Sequence, residues 1–95
     1  MSKITKSAKG QQCTVMIPAV CNFDPATTVF AHLNGGGLGM KQKDLFGAYC
    51  CSACHAWLDG GYARTTTRDA RDLEHLRAMK KTQELLIEQG LICVC

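Results

Sequence analysis

The last third of the chain has the clearest pattern of apolar and polar positions. Large aliphatic side chains recur there at helical spacing: Leu73, Leu76, Met79, Leu86 and Ile87. Such spacing places them in one stripe along an α-helix, by which a helix normally packs on a core. Thr66 and Asp69 resemble a capping box, and Gly90 can adopt the left-handed conformation that ends a helix. The pattern predicts a long C-terminal helix over residues 67–89.

Two short strands are predicted upstream of this helix. Residues 13–17 read as a strand that ends at Pro18, because proline cannot donate to a β-ladder. Residues 27–33 alternate and are rich in β-branched side chains, which predicts a second strand with His32 near its end.

The segments between the second strand and the long helix are predicted as a loop and a short helix. Residues 34–39 contain four glycines, so they form a loop. A short helix begins at Ala56 and stops at Gly60. The order of elements predicts an α+β fold of 95 residues, a single domain at 1–95 with a flexible basic arm at 1–12.

Composition adds one anomaly, which is seven cysteines in 95 residues. Residues 1–12 lack the apolar core of a signal peptide, and no run of the sequence is long enough to cross a membrane. We therefore expect a cytoplasmic protein, in which metal ligation is favoured over disulfides. The formal net charge of +3 is mild and does not by itself indicate a nucleic-acid partner.

Four of the cysteines form two pairs that suit a tetrahedral Zn²⁺ site. Cys51 and Cys54 have the two-residue spacing of a zinc knuckle, and Cys13 and Cys21 flank an upstream loop. Cys50 competes with Cys51 for the role of ligand, although the spacing to Cys54 favours Cys51. Buried, inert cysteines are the alternative.

The remaining features of the cysteine pattern leave two further interpretations open. Cys93 and Cys95 follow the long helix and read as a free pair on an extended tail, although ligation through them stays open. A thiol oxidoreductase built on Cys51 and Cys54 is disfavoured, since no βαβ pattern surrounds them.

A second set of residues suits a divalent cation. His55 directly follows Cys54, and Asp59 lies four residues later, on the same face of the predicted short helix. His32 ends a strand just before the glycine-rich loop, where its side chain can approach that cation. A strand that supplies one histidine and a helix that supplies two ligands form the layout of the ββα-metal nucleases.

These motifs resemble the YbcO family, short nucleases of lambdoid phages and prophages related to the treble-clef HNH (His-Me finger) endonucleases. The resemblance rests on CTVMIPAVCN at 13–22, AHL at 31–33, KDL at 43–45, and CSACH at 51–55 followed by Asp59 and Gly60. The segment 81–91 also resembles the final helix of that family. The match runs from about residue 8 to residue 92, and the cysteine–histidine block is its most specific part.

The resemblance implies a zinc-stabilised treble-clef or ββα-metal domain, and it implies roles for individual residues. Cys13, Cys21, Cys51 and Cys54 would be the structural zinc ligands. His32 would be the general base, and His55 would bind the catalytic cation, with Asp59 as the second ligand. Asp44 lies near the position of the asparagine that orients the base in HNH proteins, but its spacing and residue type differ. Ala31 stands where many HNH enzymes carry a further metal ligand.

The function expected on this basis is metal-dependent endonucleolytic cleavage of DNA. The catalytic cation would be Mg²⁺ or Mn²⁺, with Zn²⁺ as a further candidate. Phosphate contacts are expected from Lys41, Lys43, Arg64 and Arg68. The alternative is a non-catalytic zinc module that binds DNA or a phage recombination protein, which the alanine at position 31 favours. A homodimer or such a recombination partner would extend the reach of a domain this small, and no membrane partner is expected.

Overall fold

The computed structural model describes residues 3–33 and 45–93 of the chain. It contains the helix α1 (Lys3–Lys6), the strands β1 (Val29–His32) and β2 (Gly47–Cys50), and the helices α2 (Ser52–Asp59) and α3 (Arg68–Glu88). Single 3₁₀ turns lie at Pro25–Thr27 and Gly61–Arg64. The predicted α+β class, with a long C-terminal helix, is confirmed.

The two strands pair antiparallel, with Ala31 opposite Ala48 and His32 opposite Gly47. The predicted second strand is therefore present, although it begins at Val29. The preceding residues form a 3₁₀ turn instead, because the Asp24 carboxylate accepts a hydrogen bond from the Ala26 N–H at 3.0 Å.

The sequence analysis assigned no element to β2. Its four residues are all buried, so the alternation of apolar and polar positions that marks a half-exposed strand is missing. This strand lies at the centre of the packing, between β1 and α3.

The strand predicted over residues 13–17 is wrong, because this segment is irregular and turns tightly. Met16 and Ala19 have positive φ angles of 46° and 65°, which no β-strand accommodates. The Met16 N–H donates to Cys13 Sγ at 3.4 Å, so the backbone wraps around the cysteine sulfur. Residue Thr14 alone keeps a strand-like contact, since its N–H donates to the Tyr49 carbonyl at 2.9 Å.

The short helix begins four residues earlier than predicted, at Ser52 rather than Ala56. Cys51 is its N-cap, and the Cys51 sulfur accepts a hydrogen bond from the Cys54 N–H at 3.3 Å. A cysteine is not among the usual capping residues, so sequence patterns alone do not place this helix start.

The bounds predicted for α3 are correct to within one residue. Thr67 caps its N-terminus by accepting from the Ala70 N–H at 3.2 Å. Gly90 has a φ of 74°, and the Leu91 and Gly90 N–H groups donate to the carbonyls of Leu86 and Ile87. This pair of hydrogen bonds is a Schellman motif, and it ends the helix as expected for a glycine at that position.

Of the apolar stripe predicted along α3, only Leu86 is buried in the core. Leu73, Leu76 and Ile87 are 44–49% exposed, whereas the buried residues of the helix are His75, Ala78, Thr82 and Leu86. Apart from Leu86, the inward face is small or polar, because α3 packs against the edge of β2, where backbone groups need hydrogen-bond partners.

At this edge of β2, the backbone N–H and carbonyl that need partners belong to Tyr49. Its N–H donates to Thr82 Oγ1 at 3.1 Å, and its carbonyl accepts from the Thr14 hydroxyl at 2.9 Å. The buried hydroxyls of Thr14 and Thr82 also lie 2.9 Å apart. Two threonines from distant segments thus complete the hydrogen bonding that a third strand would otherwise provide.

The N-terminal segment, expected as a flexible arm, packs against the domain over residues 3–12. Ala8 is 2% exposed and lies in a core cluster with Phe30, Tyr49 and Leu86. The Ser7 hydroxyl donates to the Ile4 carbonyl at 2.6 Å. The Tyr49 hydroxyl therefore donates to Ser7 Oγ, at 2.7 Å. The segment is therefore held by both apolar and polar contacts.

Within residues 3–33 and 45–93, no helix combines the length and apolar character that crossing a membrane requires.

Replacing Thr82 tests the importance of the β2 edge. Thr82→Val keeps the shape of the side chain but leaves the buried Tyr49 N–H without its acceptor, so we expect the free energy of unfolding to fall by about 1–3 kcal/mol. Urea denaturation of the metal-loaded protein measures this loss. Thr65→Val, at an exposed position, is the control and should change stability by less than about 0.5 kcal/mol. An unchanged midpoint for Thr82→Val would contradict the account of the edge.

Candidate metal centre and neighbouring histidines

The structure brings together the sulfurs of Cys13, Cys21, Cys51 and Cys54, all within 4.8 Å of one another. Two come from the tight turns upstream of β1, where the Cys21 N–H donates to the Ile17 carbonyl at 2.9 Å. The other two come from the N-cap and first turn of α2. Three of the four residues are buried, and Cys21 is half-buried. Residues far apart in sequence therefore meet at one point beneath the sheet.

The geometry and chemistry of this cluster fit a zinc ion. Tetrahedral coordination with Zn–S bonds of about 2.3 Å separates neighbouring sulfurs by about 3.8 Å. The Cys21 and Cys51 sulfurs are 3.8 Å apart. Four thiolates form a common set of structural zinc ligands, so these residues can hold such a metal.

The electrostatics of the cluster also favour a bound cation. Hydrogen bonds with the Cys50 and Cys54 thiols hold the pKa of the Cys13 thiol far below its usual range. The hydrogen bond with Cys13 raises the pKa of Cys54, and burial raises the pKa of Cys21. One thiolate is thus stabilised at the expense of its neighbours. A divalent cation at the centre allows all four to ionise, because it supplies the compensating charge.

Cys51, and not Cys50, is the member of the cluster. The sequence spacing favoured Cys51 but left both open. Cys50 is fully buried on β2, and its thiol donates to the Cys51 carbonyl at 3.4 Å. A hydrogen bond with Cys13 raises the pKa of the Cys50 thiol, which keeps it protonated. Cys93 is exposed, and Cys95 lies outside the described residues.

Polar side chains beside the cluster fix the upstream loop to the start of α2. Asn22 Nδ2 donates to Ser52 Oγ at 3.0 Å, and the Ser52 N–H donates to Thr27 Oγ1 at 3.2 Å. These contacts connect residues adjacent to Cys21 and Cys51. They fix the position of Cys21 relative to Cys51.

His55 and Asp59 form the i, i+4 pair that the sequence predicted, on an accessible face of α2. His55 Nδ1 lies 3.7 Å from Asp59 Oδ2, and the two side chains are 44% and 56% exposed. In the described part of the chain, no third histidine, cysteine or acidic ligand atom joins this pair within metal-binding distance. The pair therefore offers at most two ligands there. Asp44 lies outside the described residues.

His32 occupies the last position of β1 and is half-buried. Its ring meets Phe30 edge-on, with 5.1 Å between the centroids. Gly47, directly opposite, is needed for this packing, because a Cβ there would overlap the Phe30 ring and lie 3.0 Å from the Ala31 carbonyl oxygen. The structure does not gather His32 with the His55–Asp59 pair into one ligand cluster.

His75 was not singled out in the sequence analysis, yet it is the buried histidine of this region. It lies on the inward face of α3, and its Nε2 is 3.0 Å from the Ala31 carbonyl oxygen. Burial lowers the pKa of His75, so the ring is neutral at pH 7 and donates through Nε2. One sequence signal could have identified the buried face of α3. The residues His75, Ala78, Thr82 and Leu86 are spaced three or four apart, as expected for one face of a helix.

Two of the four predicted phosphate-binding residues can be located. Arg64 ends the second 3₁₀ turn, and Arg68 is the first residue of α3; both are exposed. Arg71, in contrast, has a structural contact, since its guanidinium donates to the Leu58 carbonyl at 2.8 Å. Lys41 and Lys43 lie outside the described residues.

The fold and site define a small α+β domain with a four-cysteine cluster that can hold a metal. The chain belongs to the YbcO family, whose model, described as "Putative nuclease YbcO", matches residues 2–91. The predicted family is therefore confirmed. Two relatives are each 36% identical to this chain, over 97% of this chain and 98% of the relative. They are "Putative nuclease YbcO" of Escherichia coli (strain K12) and "Putative nuclease ybcO" of Enterobacteria phage 82.

The fold is also similar to a solved structure described as "Structure of a putative bacteriophage protein from Escherichia coli str. K-12 substr. MG1655". The two chains are 34% identical, with a TM-score of 0.77, over 92% of this chain and 99% of the other. The arrangement of elements described above is therefore shared with a relative of nearly the same length.

Metal analysis tests the cysteine cluster. We expect about one tightly bound Zn²⁺ per chain, and we expect Cys54→Ser to lose the metal and to unfold or aggregate, because metal binding and folding are coupled in small zinc domains. Elemental analysis and thermal denaturation measure the two effects.

Two further variants serve as controls. Cys93→Ser, at an exposed position, and Cys50→Ser, next to the cluster, should retain the metal, whereas Cys51→Ser should lose it. A disulfide between Cys13 and Cys21 in freshly reduced protein would contradict the zinc assignment.

Proposed function

We propose that this protein is a metal-dependent endonuclease that hydrolyses phosphodiester bonds of DNA. The main support is that Cys54, a member of the metal cluster, directly precedes His55 on α2, while β1 ends at a second histidine, His32. Two turns, a β-hairpin and a helix arranged around four cysteines suit a treble-clef domain of the HNH type. The names of the family and its relatives, which include the word nuclease, support the same activity.

In this mechanism His32 is the general base. A neutral imidazole can accept a proton from the attacking water. The hairpin holds the base through its strand backbone, and Phe30 limits the movement of its ring. His32 is the last residue of β1 and is only half-buried, so a phosphate can approach it.

His55 and Asp59 form the site for the catalytic cation. One imidazole and one carboxylate suit Mg²⁺ or Mn²⁺, or alternatively Zn²⁺. When bound, such a cation supplies Lewis-acid stabilisation of the scissile phosphate and the leaving oxygen. Ala31, at the position where many HNH enzymes carry a further ligand, is buried in the core and contributes none.

This proposed function implies that the protein binds DNA and acts in the bacterial cytoplasm. Arg64 and Arg68 are exposed at the start of α3 and offer charges to the phosphate backbone without reading bases. In this proposal Lys41 and Lys43 also contact phosphates. Asp44 has a different role, which is to orient the general base.

A second candidate is a zinc module that binds DNA or a phage recombination protein without cleaving. The observation that favours it is the His55–Asp59 pair, which has no third ligand in residues 3–33 and 45–93. The exposed Leu73, Leu76 and Ile87 of α3 suit a protein contact of this module, including one with a second copy of the chain.

Substitution of the proposed base separates the two candidates. His32→Ala should reduce divalent-dependent nicking of supercoiled DNA by about 10²–10⁴-fold, because only proton transfer is lost. Zinc content, melting temperature and DNA affinity should stay near the wild-type values. His55→Ala should instead weaken cation binding, so raised Mg²⁺ or Mn²⁺ should restore part of its activity. Equal cutting by His32→Ala, or no cutting by the wild type with any of these ions, would favour the binding module.

Charge removal tests the proposed DNA surface. The double variant Arg64→Ala/Arg68→Ala should weaken DNA binding and reduce the slope of log affinity against log salt by about one to two. Lys3→Ala/Lys6→Ala removes the same charge from α1, which packs near the opposite end of α3. Fluorescence anisotropy over a salt series measures both. A larger loss of slope in the lysine variant would move the DNA surface to α1.

A further inference from the structure

The buried contact between α3 and β1 points to a role for His75. This residue is 4% exposed, and its ring nitrogen Nε2 lies 3.0 Å from the carbonyl oxygen of Ala31. That carbonyl belongs to the residue immediately before His32, so the hydrogen bond reaches the backbone one residue from the proposed base.

Small side chains allow α3 to approach the hairpin closely at this point. Ala31, Ala48 and Ala78 are all buried in the same core cluster. A larger side chain at any of the three would push the helix away and lengthen the contact between His75 and the strand. The hydrogen bond therefore depends on a close approach that the packing creates.

The surroundings fix His75 as a neutral donor. Burial is the main cause that lowers its pKa, and the charge of Arg71 acts in the same direction, whereas the hydrogen bond with the Ala31 carbonyl raises it. Arg71 is itself held in place by the Leu58 carbonyl and by Asp72. The helix α3 thus contacts the strand that carries His32 through His75, and it contacts the helix that carries His55 through Arg71.

We propose that His75 is a positioning residue that holds the end of β1, and with it the His32 imidazole, in a fixed place relative to α2. The kinetic part of this inference rests on the nuclease function proposed above, whereas the structural part does not. Placement matters because a shift of a catalytic group by about 1 Å can lower a rate by about 10²-fold.

The first test is independent of activity and uses the zinc-loaded protein. In the wild type we expect a slowly exchanging His75 Nε2 proton with a through-hydrogen-bond coupling to the Ala31 carbonyl carbon, observed by NMR. His75→Leu removes the donor and should shift or broaden the ring resonances of His32. Thr82→Val is the matched control, because it breaks a buried 3.1 Å hydrogen bond of the same helix at Tyr49 instead. It should leave the His32 ring resonances in place.

The second test uses rescue and kinetics. His75→Gln keeps an N–H donor and should return the His32 ring resonances towards their wild-type positions. In nicking assays His75→Leu should lower kcat by about 10–100-fold with little change in KM, and His75→Gln should recover most of the loss. Thr82→Val should lower stability but not the kcat of the folded protein.

The outcomes distinguish this inference from the nuclease proposal. Unchanged His32 resonances in a folded His75→Leu protein relative to Thr82→Val, or absence of the Nε2 coupling in the wild type, would overturn the role of His75. His32 resonances displaced as far in His75→Gln as in His75→Leu would also overturn it. If the resonances move as expected but the wild type cuts no DNA, the positioning contact stands and the nuclease function fails.

Discussion

The packing of this domain depends on Tyr49, a fully buried residue on a strand that is only four residues long. Its backbone binds Thr14 and Thr82, and its hydroxyl donates to Ser7 and accepts from Gln89 Nε2 at 3.0 Å. One residue therefore connects the N-terminal segment, the cysteine loop and both the middle and the end of α3. A two-stranded sheet is only marginally stable alone, so its exposed edge must be satisfied by other elements.

This requirement explains why α3 turns a polar face inward. An aliphatic stripe at the β2 edge would leave the Tyr49 N–H buried without an acceptor, at a cost of about 1–3 kcal/mol. Thr82 supplies that acceptor, and His75 makes an equivalent contact with β1 further along the helix. Leu73, Leu76 and Ile87 lie instead on the outer surface, where they are available to a partner. Stability and the placement of His32 thus arise from the same helix face.

The cysteine cluster was largely predictable, because the two-residue spacing of a zinc knuckle is characteristic. Spacing identified Cys51 and Cys54, and Cys13 and Cys21 followed as a second pair in the same short chain. The structure places the four sulfurs together. Sequence spacing could not exclude Cys50 as a ligand. Cys50 and Cys51 are neighbours at the end of β2, and only the structure shows which side chain points toward the other cysteines. His75 has no neighbouring motif, and its importance appears only when the Ala31 carbonyl lies opposite it.

The sequence alone determined the ends of the long helix, through Thr67 and Gly90, and the family to which the chain belongs. Capping and left-handed glycines act between residues that are close in the chain, so they can be recognised from local sequence. Tertiary structure decided that β2 forms, that residues 13–17 turn around a sulfur, and which face of α3 is buried. These features depend on groups brought together from distant segments, because a buried polar atom is stabilised only by the partner that folding places beside it.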